Sequence, residues 1–198
     1  MEPHTRTIDG EPDEQLIERL QNGDESAFDI IIDRYGKEIF NFHLRHTGNY
    51  EDANDLSQET FVRLYINKNK FSKEYKFKTW LYTIAMNLLR NHYRWKRRHL
   101  EISIDAASDE DCEWIPDIAI STNKNPSAES INYETQQAID KAMNSLTEEQ
   151  RDVIILCELQ DLSLAEAAKV LNTTIKSVES HLYRARKALR QKLKDYLE

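Results

Sequence analysis

Glycine and proline are scarce in this 198-residue chain, four of each, and cysteine is scarcer still at two. So few breakers over this length leave room for long uninterrupted helices. Alternating polar and apolar residues, the mark of half-buried strands, are almost absent, and the expected fold is all-α. Cys112 and Cys157 form no CxxC or other ligand spacing, which excludes a disulfide framework. His43 and His46 have no cysteine or carboxylate set beside them to complete a metal site, and both read as surface or boundary histidines. No run approaches the ~18 apolar residues of a membrane helix, and the acidic N-terminus carries no apolar signal core. The chain reads as soluble, reduced and cytoplasmic, with no membrane insertion. It also lacks a nucleophile–base pair, a carboxylate dyad or a metal cluster, so neither a catalytic residue nor a cofactor is expected.

Charge is present in quantity but segregated. The formal net charge is −8. Residues 1–60 carry 5 basic and 15 acidic groups, residues 61–100 carry 11 basic groups against Glu74 alone, and residues 101–135 set Lys124 against nine acids. Residues 136–198 balance at ten each. A cationic block between two acidic ones assigns different partners to different surfaces. Acidic surface repels DNA and suits a basic protein.

The most informative stretch is FKTWLYTIAMNLLRNHYRWKRR, residues 77–98. Phe77, Trp80, Leu81, Ile84, Ala85 and Leu88 recur at helical steps and form one buried face. Thr83, Asn87, Arg90, Asn91 and Arg94 line the other, extended by Lys96, Arg97 and Arg98. Amides backed by guanidinium groups suit base reading combined with phosphate holding; a solvated amphipathic helix is the plain alternative. Upstream, residues 1–11 read as a flexible tail. A helix is expected from Asp13 to about Asn22, then one capped by Asp24 with Phe28, Ile31, Tyr35, Ile39 and Phe42 inward. A third starts near Asp52 and turns Leu56, Phe61, Leu64 and Tyr65 inward. Asp52, Asp55 and Glu59, with Gln58 beside them, share a ridge that is either a docking surface or merely solvated. FSKEYKFK, residues 71–78, is short, basic and aromatic and reads as a loop entering the next helix.

The segment 101–135 holds Pro116, Pro126 and the run Asp109-Glu110-Asp111, and reads as an extended acidic linker in which Trp114, Ile115, Ile118 and Ile120 are isolated apolar residues. Helical periodicity then returns. Ile139, Ala142, Met143 and Leu146 make a stripe, and Thr147–Gln150 and Ser163–Glu166 are capping boxes. Cys157 reads as a small core residue. After a break at Leu171-Asn172-Thr173, a helix from about Thr174 turns Ile175, Val178, Leu182, Ala185, Leu189 and Leu193 inward. Residues 176–194 hold seven basic side chains against Glu179. A short helix, a tight turn and a longer basic helix make a helix-turn-helix, whose second helix enters the major groove.

Taken together, DANDLSQETFVRLY (52–65), residues 77–98 and residues 146–193 resemble, in that order, three regions of the bacterial sigma-70 family in its extracytoplasmic-function (ECF) type. The resemblance implies two small helical domains, 12–100 (region 2) and 136–198 (region 4, with the helix-turn-helix), joined by the acidic linker 101–135. It implies a non-enzymatic initiation factor that binds core RNA polymerase through its two largest subunits, recognises −10 and −35 promoter elements and aids melting. An anti-sigma factor is an implied further partner, and the linker would thread the channel later occupied by RNA. Polymerase binding would fall to Asp52, Asp55, Gln58 and Glu59. The −10 contacts would fall to Phe71, Lys73, Tyr75, Lys76, Phe77, Lys78, Asn87, Arg90, Asn91, Arg94, Arg97 and Arg98, with the aromatic rings stacking on unpaired bases. The −35 contacts would fall to Lys176, Ser177, Glu179, Ser180, His181, Tyr183, Arg184, Arg186, Lys187 and Arg190. Glu179 and His181 depart from the family's pattern, so the preferred −35 sequence is not carried over. The rival reading is a stand-alone helix-turn-helix regulator of duplex DNA.

The segregated charge yields a first expectation. Free chain should bind duplex DNA weakly in gel shifts, with specificity appearing only after core polymerase is added. Tight sequence-specific binding by the free protein as a dimer would favour the rival.

Overall fold

The computed structural model describes the backbone of residues 10–104 and 129–194, and the side chains of 10–99 and 137–194. Among the described residues there are helices and turns and no strand. They fall into two compact units. The first holds α1 (Asp13–Gln21), α2 (Ser26–Thr47), α3 (Tyr50–Asn67), a short 3-10 turn (Lys68–Lys70) and α4 (Phe77–Ile104). The second holds α5 (Glu129–Asn144), α6 (Glu148–Ile154, continued as a π turn over Ile155–Leu159), α7 (Leu164–Leu171) and α8 (Ile175–Lys192).

Local chemistry sets the joints of the first unit. Asp13 and Glu14 occupy the first turn of α1, where the helix dipole favours carboxylates. Arg19 donates from Nε (2.9 Å) and Nη2 (2.7 Å) to Asp24, which also accepts from the Ser26 N–H; the N-cap position of α2 is Glu25, one residue after the expected Asp24. Gly48 closes α2 at φ +64, a conformation in which a side chain would be strained, and its N–H bonds back to the Leu44 carbonyl. Asn49 then caps α3 by accepting from the Asp52 N–H at 3.0 Å.

Helix α4 packs on α1, α2 and α3, so it buries more than one stripe. Phe77, Leu81, Ala85 and Leu88 are inward as the periodicity predicts, but Tyr82, Met86 and Leu89 join them, while Trp80 and Ile84 are only half-buried. Phe71 and Phe77 are core residues, 8% and 0% exposed. Their rings lie 6.2 Å apart, Phe77 packs on Tyr35 at 5.5 Å, and Phe71 packs on Trp80 at 5.4 Å. Burial of one such ring contributes ~1.5–3 kcal/mol.

His43 and His46 are also buried, 0% and 3% exposed, against the expectation of boundary positions. A neutral imidazole has apolar faces and needs few polar partners. Here His43 Nε2 meets the Thr60 hydroxyl (3.1 Å), His46 Nδ1 meets the Phe42 carbonyl (2.8 Å), and Phe42 lies between His46 and Tyr82.

In the second unit both capping boxes are formed. Thr147 and Gln150 exchange bonds of 3.2 and 3.4 Å, and Ser163 and Glu166 exchange bonds of 2.8 and 3.3 Å. Asn172 sits at φ +52 and makes the break between α7 and α8, and Thr174 caps α8 by accepting from the Ser177 N–H. The core is Val153, Ile154, Ile155, Leu156, Leu162, Ala167, Ala168 and Val170 against Val178, Leu182 and Ala185. Six expected core positions differ. Ile139 and Ile175 are 39% and 51% exposed, and Met143, Leu189 and Leu193 are half-buried. Cys157 is only half-buried, at the π turn, where burial and then Glu158 push its thiol up.

The boundaries also move. Glu11 belongs to the folded part, accepting from Arg19 Nη1 at 2.5 Å while its carbonyl accepts from Arg34. The α4 helix runs to Ile104 and α5 begins at Glu129, so helix enters both ends of the expected 101–135 linker. No breaker stands between Arg98 and Ile104, and adding a residue to an existing helix carries no nucleation cost. Residues 1–9 of the tail expected at 1–11, and the linker residues Asp109, Glu110, Asp111, Trp114, Ile115, Pro116, Ile118, Ile120 and Pro126, lie outside the described residues.

Burial, followed by the neighbouring His46 and His92, pushes His43 down to about 3. That lies below its ordinary value of ~6.5, so the unfolded chain takes up the proton first. Stability is then complete above about pH 6.5 and is lost as pH falls toward the folded value, by up to ~1.4 kcal/mol per pH unit. Thermal melts should show a falling melting temperature below about pH 6, and His43→Gln should flatten that dependence. Equal slopes in the two proteins would remove His43 as the sensing group.

Candidate nucleic-acid and polymerase interface

The acidic ridge expected on α3 is smaller than its sequence spacing implies. Asp55 and Gln58 are exposed, but Glu59 accepts from Arg63 Nε one turn on (2.6 Å). Asp52 is tied to α4 by the Lys96 ammonium at 2.6 Å, with His92 Nε2 at 3.5 Å. It is therefore an interhelical strut rather than a free docking carboxylate. The same helix presents two apolar residues that sequence reasoning missed. Val62 and Ile66 are exposed, and with Asp55, Gln58 and Glu59 they continue one stripe at steps of three and four. The signal was available as β-branched residues off the inward stripe.

The loop into α4 divides its aromatic residues. Phe71 and Phe77, expected to stack on bases, are committed to the core and cannot do so without unfolding it. Tyr75 is 46% exposed and is the ring the loop offers. Two of its lysines are already engaged, Lys73 by Glu18 at 2.5 Å and Lys78 by Glu38 at 3.5 Å. Lys76 is exposed.

Along α4, Asn87 and Asn91 are exposed one turn apart, as expected. Arg94 donates from Nη2 to the Asn91 side-chain oxygen (2.6 Å) and Arg98 Nε donates to the Arg94 carbonyl (3.3 Å). Asn91, Arg94, Arg97 and Arg98 line one shallow concavity. A second runs between α3 and α4 and is lined by Arg63, Asn67, Ile84, Asn87, Leu88 and Asn91. Arg63 and Asn67 are thus further members of the amide-bearing face, brought there by packing and invisible to the periodicity of α4. Trp95 was missed as well. It is exposed one turn after Asn91 and stacked on His99 with ring centroids 4.1 Å apart. Arg90 is half-buried at the edge of this face.

In the second unit, the outward face of α8 carries Lys176, Ser180, Tyr183, Arg184, Lys187 and Arg190, all exposed, with Glu179 beside them. Arg184 Nη2 donates to the Ser180 hydroxyl at 2.9 Å and Nε to the Ser180 carbonyl at 3.2 Å, which fixes the guanidinium along the helix. Three expected DNA contacts are placed otherwise. Ser177 is half-buried, its N–H used in the Thr174 cap. His181 is half-buried with Nδ1 sealed from solvent. Arg186 donates from Nε to Glu158 at 2.9 Å, with a second bond from Nη2, so a phosphate must compete with a carboxylate for it. His181 reads as an outward position only if the buried stripe is taken as narrow, and the packing of α6 on α8 widens it.

What these surfaces can do is bind, without bond-making chemistry. Exposed amides with fixed guanidinium groups recognise base edges and phosphate, and an acidic–apolar stripe suits a protein partner.

Comparison with known proteins agrees with this geometry. The family "Sigma-70 region 2" matches residues 31–99 and "Sigma-70, region 4" matches residues 136–189. The chain is 32% identical to the ECF RNA polymerase sigma factor SigW of Bacillus subtilis, over 90% of this chain and 95% of that one. It is 31% identical to the RNA polymerase sigma-H factor of Pseudomonas aeruginosa, over 94% of this chain and 96% of that one. Among solved structures, the sigma factor RpoE of Bartonella quintana, crystallised with the anti-sigma factor NepR, matches with a TM-score of 0.65 at 25% identity, over 84% of this chain and 96% of that one. Two DNA-facing helical units in this order, with relatives spanning nearly the whole chain, place it in the sigma-70 family, among the ECF sigma factors: a non-enzymatic, promoter-recognising partner of core RNA polymerase.

Proposed function

We propose that the work of initiation is divided among three surfaces of this chain. The α3 stripe of Asp55, Gln58, Glu59, Val62 and Ile66 docks on core polymerase, its carboxylates orienting and its apolar end supplying buried area. The face of Asn87, Asn91, Arg94, Arg97 and Arg98 with the Tyr75 loop takes the −10 element as the duplex opens. The α8 face of Lys176, Ser180, Tyr183, Arg184, Lys187 and Arg190 reads the −35 element. The observation that carries this reading is the exposed Asn87–Asn91 pair flanked by guanidinium groups, on the helix that directly follows the loop with the exposed Tyr75. A face that holds phosphates, reads bases and stacks one ring is what trapping an unpaired strand needs.

The helices α1–α4 and α5–α8 correspond to the two functional domains, with the segment between α4 and α5 as their connection. An anti-sigma factor is a further partner on this reading, as the co-crystal of the Bartonella relative supports. Occupation of the α3 stripe would deny that surface to polymerase. The chain acts in the cytoplasm, with its polymerase. In support, no described helix is long and apolar enough to cross a membrane.

Run-off transcription with core polymerase tests the whole reading, and permanganate footprinting resolves the opening step. Tyr75→Ala should reduce opening by about tenfold, a loss of one stacked ring at ~1–3 kcal/mol, with folding shifted by no more than ~0.5 kcal/mol. Asn87→Ala should impair opening more than closed-complex formation. Phe77→Ala should instead destabilise the first unit by ~3–5 kcal/mol. A Tyr75→Ala protein that opens promoters as wild type does would take the ring out of the mechanism.

On α8, Ser180→Ala removes the hydroxyl that holds Arg184 Nη2, leaving only the carbonyl bond to Nε, and should change which −35 sequences are preferred in a randomised library. Arg190→Ala should weaken all of them alike and flatten the log–log salt slope by roughly 0.9. The reverse pattern would place the helix differently in its groove.

A further inference from the structure

Helix α1 offers three polar side chains at positions 14, 18 and 21, one face of a helix, and each ends on the segment that connects α3 to α4. Gln21 donates through Nε2 to the carbonyl oxygens of Lys68 (2.7 Å) and Phe71 (3.3 Å). Glu18 holds the Lys73 ammonium at 2.5 Å. Glu14 accepts from the N–H of Phe77 at 3.1 Å, satisfying one of the donors that the first turn of α4 leaves without an intrahelical partner. The entrance, middle and exit of the loop are therefore gripped by one short helix. Between those grips the backbone makes a tight turn, with the Tyr75 N–H on the Ser72 carbonyl (3.1 Å) and the Glu74 N–H on the Ser72 hydroxyl (3.4 Å). Lys73 and Glu74 are its two central residues, and Tyr75 closes it.

We propose that α1 is a bracket that sets the strand-capture loop, with Gln21 and Glu14 as positioning residues for Tyr75 and Glu18 as a carboxylate that competes with DNA phosphate for Lys73. The inference rests on the reading of residues 71–78 as the loop that takes an unpaired base. A loop already held in its binding shape loses less conformational entropy when a base stacks, so its anchors strengthen capture without touching DNA. Glu18 acts in the opposite direction. Lys73 must leave it to hold a phosphate, which lowers affinity for any strand that lacks enough other contacts.

The test uses holoenzyme assembled from the full chain and core polymerase, with a fluorescent single-stranded DNA selected from a random pool on the wild-type holoenzyme. Gln21→Glu cannot donate and faces two carbonyl oxygens, and it should weaken binding by about five- to tenfold. Glu14→Gln keeps an acceptor for the Phe77 N–H and should retain affinity. Glu18→Gln should bind more tightly and steepen the log–log salt slope by about 0.7, one more phosphate contact on a single strand. Combining Gln21→Glu with Tyr75→Ala should add little to the loss from Tyr75→Ala alone, because the bracket works through that ring. A purely structural effect would instead add to it and lower the melting temperature. If Gln21→Glu fails to fold, Glu18→Gln decides, since that side chain is 42% exposed and keeps its volume. Unchanged binding by Gln21→Glu, unchanged or weaker binding by Glu18→Gln, or additive losses in the double variant would overturn the proposal. A wild-type holoenzyme that selects no single strand would instead remove the loop reading itself, and the bracket with it.

Discussion

Phe77 is the residue on which the first unit depends. It is fully buried at the first position of α4, with its ring against Tyr35 of α2 and Phe71 of the loop, and its N–H on Glu14 of α1. One residue thus joins α1, α2, the loop and α4, through its ring and its backbone N–H. It also sets the phase of α4. With Phe77, Leu81, Ala85 and Leu88 inward, the helical repeat leaves Asn87 and Asn91 outward. The same anchor closes the loop, which leaves Tyr75 as its accessible ring. Stability and recognition are therefore coupled at this residue, although it touches no DNA.

Electrostatics in both units is arranged as held-back charge rather than open attraction. Lys73 is matched by Glu18, Lys78 by Glu38, Lys96 by Asp52 and Arg186 by Glu158. Such surface pairs contribute only ~0–1 kcal/mol to folding. Their larger effect is on binding, because each phosphate contact must first displace a carboxylate. Weak intrinsic attraction of the free chain to DNA is what the segregated charge and the net −8 imply.

The second unit achieves its orientation by backbone chemistry. Two capping boxes start α6 and α7, a left-handed Asn172 ends α7, and the Thr174 cap starts α8 within a few residues. With these joints fixed and small Ala167, Ala168 and Ala185 buried, α8 has one face in the core and one exposed. Ser180 then uses its hydroxyl and carbonyl to align Arg184, a preorganisation that favours bidentate base contact.

Local rules determined a great deal from sequence alone. The helical class, the capping boxes, the break at Asn172, the inward phase of Phe77, Leu81 and Leu88, and the outward Asn87, Asn91, Ser180 and Arg184 all follow from periodicity and capping, which act over a few residues. The family likewise was legible in the motifs from residue 52 to residue 193 and in their order. Tertiary packing decided what periodicity cannot report. Whether an aromatic residue in a basic loop faces DNA or core depends on what packs above it, and α1 and α2 took Phe71 and Phe77 while leaving Tyr75. Whether Asp52 is a docking carboxylate or a strut depends on Lys96, which lies 44 residues away. His43, His46 and His181 went inward, and Arg63, Asn67, Val62 and Ile66 gained surface roles, because neighbouring helices determine how wide each buried face becomes. A single helix encodes where its apolar stripe lies, and the helices around it decide where that stripe ends.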